Sequence, residues 1–436
     1  MEKNTQNNEP FWQAGLNEGQ HKAVLQTDGP VLILAGAGSG KTKTLTHRIA
    51  YLITEKNITP SRILAVTFTN KAAGEMRERV GGLLEKGGFF MERPANIGTF
   101  HSICVRILRR EIGVLGTYGT DFNILDDQDQ QTIMKRVLKS LELSDEEVRP
   151  RAMSDAISRA KNALQSPDAY LLASSGYYEE MVAKVYAAYH KELVTANALD
   201  FDDLIMLTVR VFQEHPEVLA RYQEFFQYIL VDEYQDTNHP QYLLVTLLAA
   251  KHRNLFVIGD DYQSIYGWRQ ADITNILNFE KDYPEAVIIT LDQNYRSTQN
   301  ILDAAQGVIE KNSNQRKKTL WTAGSAGALV TRVAATDETA EAHFVAKTVL
   351  ELQRQQDETG SCAVLYRTNA QSRALEEMFL RSSVSYKIVG GLKFYQRKEI
   401  KDMVALVRFY VNPRDFLALE RILGADRKST RLNSSH

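Results

Sequence analysis

Short apolar runs, each broken abruptly by small or polar residues, alternate along this chain with longer stretches in which apolar residues recur at helical spacing. Residues 31–34, 63–66, 228–231 and 254–258 are runs of the first kind. A run that is apolar at almost every position, rather than at every second one, predicts a strand buried on both faces, as in a parallel sheet covered by helices. The fold class is therefore α/β. A further short strand is expected to end in the segment 97–102. From about Arg110 to Leu199 the pattern changes to helical spacing, many charges and few β-branched runs, with a soft break at residues 173–176, which predicts an inserted helical domain. A second sheet is expected to begin at residues 286–290, with strands at 329–334 and 363–366 separated by a helix from about Glu338.

The first run is the one with chemistry attached. It continues through Ala35, Gly36, Ala37, Gly38, Ser39 and Gly40 to Lys41 and Thr42, reading VLILAGAGSGKT. Glycines let the backbone curl between strand and helix, and the helix N-terminus then points its N–H groups at an anion. The Lys41 ammonium reaches the outer phosphates of a nucleotide and the Thr42 hydroxyl can ligand Mg²⁺. Ala35 stands where glycine is usual, a tolerable extra methyl. The partner of this loop is expected much further on, where the run at 228–231 ends in Asp232 and Glu233. There Asp232 can hold Mg²⁺ through water and Glu233 can orient or deprotonate an attacking water.

Composition narrows the class without changing it. The chain has 436 residues, 44% hydrophobic and 24% charged, enough for two to four globular domains. With 52 Lys and Arg against 54 Asp and Glu, the net charge is -2, so a nucleic-acid partner would have to be held in a local groove. Cys104 and Cys362 have no metal-binding spacing and suggest no disulfide framework; buried thiols in a reducing, cytoplasmic setting are the expectation. No run has the length of a membrane span, and residues 1–10 lack the apolar stretch of a signal peptide.

Other candidates cluster at the ends of the predicted strands, where ligands of a parallel sheet sit. Gln20, before the first helix, can offer a donor and an acceptor to an adenine edge or can be an ordinary exposed helix residue. In the segment 67–73, alanine at position 73 breaks the Asn-Lys-x-Asp pattern of guanine binders; Phe68 could stack on a base or pack in the core, and Lys71 could meet a phosphate. Thr99 and His101 offer phosphate contacts. The segment 259–269 brings Gln263, a possible γ-phosphate sensor, beside Tyr266, Trp268 and Arg269, flat faces and a cation suited to unpaired bases. Arg296 is the candidate to neutralise charge in phosphoryl transfer, and Tyr295 beside it can cover an adenine or simply pack.

Read together, LNEGQ, AGAGSGKT, AVTFTNKAAGEMRERV, IGTFHS, LDFDDL, ILVDEYQDTN, VIGDDYQSIYGWRQADI, LDQNYRS, VLYRTNAQSR and IVGGLKFYQRKEIKD closely resemble, in order, the motifs of the UvrD/Rep/PcrA family of superfamily one DNA helicases. The resemblance runs from Leu16 to about Leu423. It implies a P-loop, RecA-like motor domain at residues 1–109 and 200–285 with a helical domain inserted at 110–199. It further implies the first half of a second RecA-like domain at 286–390 and the start of a second inserted domain at 391–426. ATP with Mg²⁺ would lie in the cleft and single-stranded DNA, or its junction with duplex, across the top, with movement from three-prime to five-prime. The resemblance assigns Gln20 and Tyr295 to adenine, Lys41 and Thr42 to phosphate and Mg²⁺, Asp232 and Glu233 to Mg²⁺ and water, and Gln263 and Arg296 to the γ-phosphate. Phe68, Tyr266 and Trp268 are assigned to bases, with Arg269 linking nucleotide and DNA.

The sequence departs from the family at Tyr262, where an acid is common, and at Gln270, where glycine often follows the arginine. The family's late Thr-Arg motif is not found after Gly391, and residues 427–436 read as translated linker or a misread terminus. Two expectations follow: an ATP-driven DNA helicase or translocase of repair or replication, or an ATP- and DNA-binding fragment of one without motor activity. A helicase-nuclease subunit is a third.

Overall fold

The computed structural model describes residues 10–90, 95–143, 148–313, 315–355, 360–389, 398–411, 415 and 418–424. They divide into two compact units, residues 1–328 with 412–417 and residues 329–411 with 418–436. Residues 391–397, where the second inserted domain was expected to begin, and residues 427–436, read as a foreign tail, lie outside the described residues, while much of the stretch 398–424 is described.

The first unit is built on a sheet of β1 (Val31–Ala35), β2 (Ile63–Thr67), β3 (Asn96–Thr99), β6 (Tyr228–Val231), β7 (Leu255–Gly259) and β8 (Val287–Leu291). Their order is β3-β2-β6-β7-β1-β8, and every pairing is parallel. Side chains of successive strand residues point to opposite faces. Leu32 and Leu34 accordingly join one core with Leu64, Val66 and Val231, while Val31, Ile33 and Ala35 join the other with Ile63, Ala65 and Ile258. Helices cover both faces, which is why the strand residues must be apolar throughout.

One expectation is corrected here. The run at 286–290 opens no second sheet; Val31–Ala35 pair with Val287–Leu291, making β8 the sixth strand of the first sheet. An apolar run identifies a buried strand but carries no label for the sheet it completes.

Between β3 and β6 lies a helical region with its own core. Helices Asp127–Ser140, Pro150–Asn162, Pro167–Ala173 and Tyr177–Thr195 pack around residues such as Met134, Ile157, Val185 and Leu193. A two-residue parallel pair, β4 (Asn123–Ile124) and β5 (Ala198–Leu199), closes its neck. Just past β5, Asp200 caps the helix Phe201–Glu214, and its Oδ2 receives Lys161 Nζ at 2.7 Å and Tyr189 Oη at 3.1 Å. Asp203 takes the same ammonium at 2.7 Å, and all three charged groups are buried.

The second unit, taken by itself, shows helices Glu338–Gln355, Ser372–Arg381 and Lys398–Val411 and a small core of Ala346, Val349, Phe379 and Val384. The strands expected at 329–334 and 363–366 do not form among the described residues; Leu329, Val330 and Leu365 are exposed. A strand needs a hydrogen-bonded neighbour, and neither segment has one among the described residues. Cys104 is buried, with its thiol pushed up to about 12 by desolvation, but Cys362 is exposed, against the expectation of two buried thiols.

Removing the Lys161 ammonium leaves two buried carboxylates without a counter-charge. Lys161→Met is expected to cost about 3–5 kcal/mol of stability, read from urea unfolding of the helical region. A loss below about 1 kcal/mol, the range of exposed pairs, would contradict the burial described here.

Candidate active site

The turn from β1 into the helix Lys41–Thr54 is fixed from outside. Gly38 and Gly40 sit at φ 66° and 86°, a left-handed backbone that favours glycine. A Cβ on Gly38 would lie 2.6 Å from Asn294 Nδ2, and one on Gly40 would lie 2.6 Å from Gln20 Nε2. Those neighbours press close because they hold the loop's carbonyls. Asn294 Nδ2 donates to Ala37 O at 2.6 Å, the Tyr295 N–H to Gly38 O at 2.9 Å, and Gln20 Nε2 to Ser39 O at 2.8 Å. Ser39 Oγ closes the turn on Gly36 O at 2.8 Å.

The helix that follows has no side-chain cap, because Gly40 occupies the capping position. Helices beginning after Asn17, Thr99, Asp200 and Asn238 all carry capping boxes. The first-turn N–H groups of Lys41–Thr54 have no partner within the helix, and an uncapped N-terminus of this kind is an anion site.

Opposite it, β6 ends at Val231 and Asp232 is buried, its Oδ1 accepting the Glu233 N–H at 3.1 Å. Burial and then the charge of Glu233 push the Asp232 carboxyl up to about 7, with Lys41 opposing. Lys41 Nζ meets Glu233 Oε2 at 2.6 Å. Glu233 itself holds φ 50°, a left-handed position that costs a non-glycine residue free energy and aims the side chain back at Lys41. Gln235 Nε2 donates to the same Oε2 at 3.0 Å, while its Oε1 accepts the Asp260 N–H at 2.9 Å, joining the ends of β6 and β7. Asp236 is pushed up to about 6 by burial and Glu233, and its Oδ1 is buried without a hydrogen-bond partner among the described residues.

This donor set suits a hard dication shared with phosphate. No group of three or more His, Cys, Asp or Glu forms a closed metal cage among the described residues. Mg²⁺ bound with a nucleotide needs only one or two protein oxygens and keeps several waters. The buried Asp232 carboxylate and the Thr42 hydroxyl, on the second residue of the uncapped helix, are the oxygens that fit.

Gln263 and Arg296 come from the ends of β7 and β8. Gln263 Nε2 donates to Asp260 Oδ2 at 2.5 Å, and Arg296 follows Asn294, whose Oδ1 accepts the N–H groups of Arg296 and Ser297 at 2.8 and 2.7 Å. No ion pair engages the Arg296 guanidinium among the described residues. Tyr295 is exposed, its hydroxyl bonded to Asn17 Nδ2 and Gln293 Oε1, each at 2.8 Å. Gln20 is buried, not an exposed helix residue, and both ends of its amide are in use: Oε1 accepts the Asn17 N–H at 3.1 Å while Nε2 holds Ser39. It braces the glycine loop at Ser39.

The residues expected at DNA divide by environment. Tyr266 and Trp268 are exposed, 6.1 Å apart, with the Arg269 guanidinium 4.6 Å from the Trp268 ring. Lys71 is exposed beside Glu75. Phe68 is half-buried, edge-on to Phe100 at 5.9 Å and packed on the core, so it serves packing whatever else it does. Thr99 is buried and its hydroxyl accepts the Ser102 N–H at 3.3 Å, a capping role. His101 lies edge-on to Phe201 at 5.6 Å, and its pKa is lowered by burial and then by Arg269.

Asn294, Gln235 and Asn17 were not anticipated. Asn17 had a signal, the Asn-x-x-Gln capping box ahead of an apolar helix. Asn294 and Gln235 lie within the LDQNYRS and ILVDEYQDTN strings, but their partners Ala37 and Asp260 are remote in sequence and no spacing points to them.

His101 supplies a pH test. Its folded pKa lies below the unfolded value near 6.5, so the unfolded chain binds more protons below that pH, and stability from the neutral ring is present above 6.5 and lost as pH falls. Arg269→Ala is expected to move the His101 midpoint up, though not fully to 6.5, because burial is the larger cause. The imidazole resonance followed by NMR checks this, and an unmoved midpoint would separate the two residues.

Residues 16–284 match the UvrD/REP helicase N-terminal domain and residues 289–433 the UvrD-like helicase C-terminal domain. The chain is 51% identical over 416 residues to the ATP-dependent DNA helicase PcrA of Bacillus subtilis, covering 95% of this chain and 56% of that protein. It is 50% identical over 413 residues to the proteins of the same name from Staphylococcus epidermidis and Staphylococcus aureus, with the same coverage. The chain thus spans a little over half the length of these relatives.

Proposed function

Because the chain belongs to the UvrD/Rep helicase family, we propose that it forms the ATP-hydrolysing part of a cytoplasmic DNA helicase that moves three-prime to five-prime along single-stranded DNA in repair or replication. The observation that carries the reading is the Lys41–Glu233 pair at 2.6 Å, set between an uncapped helix N-terminus and the buried Asp232. Lys41 and Glu233 pair with each other. An incoming triphosphate attracts Lys41 more strongly than one carboxylate does, and the exchange frees Glu233.

Glu233 then orients the attacking water and takes its proton as the bond to the γ-phosphorus forms and the bond to the ADP oxygen breaks. Gln263 and Arg296 serve the γ-phosphate from the neighbouring strand ends, and Thr42 and Asp232 would hold Mg²⁺. Bound there, Mg²⁺ would supply charge neutralisation for the phosphate oxygens. Tyr295, with its ring exposed, covers the adenine face. Tyr266 and Trp268 stack on unpaired bases at the loop that also carries Gln263, so DNA and nucleotide act on one segment. Junctions of single- and double-stranded DNA are the substrate class.

ATP hydrolysis by the protein bearing this chain is expected to rise with single-stranded DNA and to fall by at least about a hundredfold in Lys41→Ala. Phosphate release measured with and without oligonucleotide checks both, and hydrolysis indifferent to DNA and to Lys41 would overturn the proposal. Trp268→Ala is expected to weaken single-strand binding by about 1–3 kcal/mol, read by fluorescence anisotropy, with nucleotide affinity in the absence of DNA unchanged.

A further inference from the structure

The segment 316–321 crosses the carboxyl ends of three strands and touches all three parts of the candidate γ-phosphate site. On one side, Lys318 Nζ forms ion pairs with Asp260 and, at 2.6 Å, with Asp261, and the three side chains are between 0 and 5% exposed. Asp260 is the residue whose other carboxylate oxygen accepts Gln263 Nε2. Tyr262 Oη accepts the Lys318 N–H at 3.0 Å and donates to Lys318 O at 3.3 Å, while the ammonium lies 4.2 Å from the Tyr262 ring centre. Asp261 Oδ2 accepts the Arg316 N–H at 2.7 Å. In the middle, Leu320 fills the space that a side chain on Gly36 would take; a Cβ there would come within 2.1 Å of Leu320 Cδ2. At the far end, the Trp321 N–H donates to Asp292 O at 3.2 Å and Trp321 O accepts the Asn294 N–H at 2.8 Å, beside the side chain that fixes Arg296.

We infer that the segment 316–321 is a strap that sets Gln263 and Arg296 at one spacing over the phosphate loop, with Lys318 as a positioning residue acting on Gln263 through the Asp260 carboxylate. The inference rests on the reading of Gln263 as the group that meets the γ-phosphate. The physical step is short. Lys318 and the Tyr262 N–H, at 3.1 Å, both hold Asp260 Oδ1, which leaves Oδ2 facing Gln263, and a glutamine amide bonded to a carboxylate so fixed presents its oxygen and remaining N–H in one orientation. Without the ammonium, Asp260 and Asp261 are like charges side by side in a buried place, and their repulsion turns the Asp260 carboxylate away from the position in which it holds Gln263. Tyr262 finds its use here: in place of an acid, the chain has a phenol that clamps the strap's backbone without adding a third charge to the cluster.

The test compares magnesium complexes of adenosine 5′-O-(3-thiotriphosphate) and of ADP, titrated calorimetrically against the whole chain, because their affinity ratio reads the γ-phosphate contact alone. Gln263→Ala is expected to lower that ratio about tenfold, the size of one charge-assisted hydrogen bond. Lys318→Met is expected to lower it by a similar factor, and in the Gln263→Ala background to lower it no further, since both changes remove one contact. Tyr262→Phe, which loosens the strap without unpairing a buried charge, is expected to act in the same direction with a smaller loss, and it carries the test if Lys318→Met does not fold. A purely structural lysine would lower the melting temperature and weaken both nucleotides alike. An unchanged ratio in folded Lys318→Met or Tyr262→Phe, with Gln263→Ala still effective, overturns the strap. An unchanged ratio in Gln263→Ala itself overturns the reading of Gln263 and the strap with it.

Discussion

Six strands running the same way end at the same edge, and the rest of the site follows from that constraint. The order β3-β2-β6-β7-β1-β8 sets the P-loop strand between β7 and β8, with β6 one place beyond. Thr99, Phe68, Asp232, Gln263, Lys41 and Arg296 therefore emerge along one line, although they are scattered between residues 41 and 296 of the sequence. An antiparallel strand anywhere in the series would carry its loop to the opposite edge. The apolar residues on both faces of each strand hold the line straight, and the polar residues at its end meet one another because of it.

Charge then decides how the edge is used. Lys41 and Glu233 neutralise each other, and Asp232 and Asp236, buried and next to Glu233, are pushed well above the ordinary carboxylate range. A site with more buried acid than buried base favours a cation, and a bound nucleotide brings one with it. The glycine loop completes the arrangement by leaving its helix uncapped. Its carbonyls are held by Asn294, Tyr295 and Gln20, three donors from outside the loop, so the shape needs no ligand to maintain it.

Much of this could be read from the chain. The P-loop, the acids after β6 and the aromatic loop after β7 were legible because each is a local string whose backbone chemistry demands those residue types in that order. The helical insertion was legible from its change of period. What escaped was pairing at a distance. No spacing announces that Asn294 holds Ala37, that Gln235 bridges two strand ends, or that Gln20 spends its amide on Ser39. The placement of β8 failed for the same reason, since residues 287–291 look alike whether they finish one sheet or begin another. Runs at 329–334 and 363–366 read as strands on local pattern and form no ladder among the described residues, because a strand is a property of two segments.

Buried lysines show how such distant pairings are made specific. Lys161 sits between Asp200 and Asp203, and Lys318 between Asp260 and Asp261, each pair of acids just after a strand end. In both cases a lysine from a segment remote in sequence is held by two carboxylates and an aromatic ring, Tyr189 in one and Tyr262 in the other. An apolar contact at these places would give comparable or greater stability, because desolvating the charges offsets most of their attraction. It would not fix direction. A hydrophobic side chain tolerates sliding and rotation, whereas an ammonium shared between two buried carboxylates has one position, and leaving it exposes three charges to a medium that cannot solvate them. The first lysine joins the helical insertion to the helix Phe201–Glu214, and the second joins the strap to the loop that carries Gln263. The first cluster lies just past β5 and the second just past β7, and at each strand end geometry is set by charge.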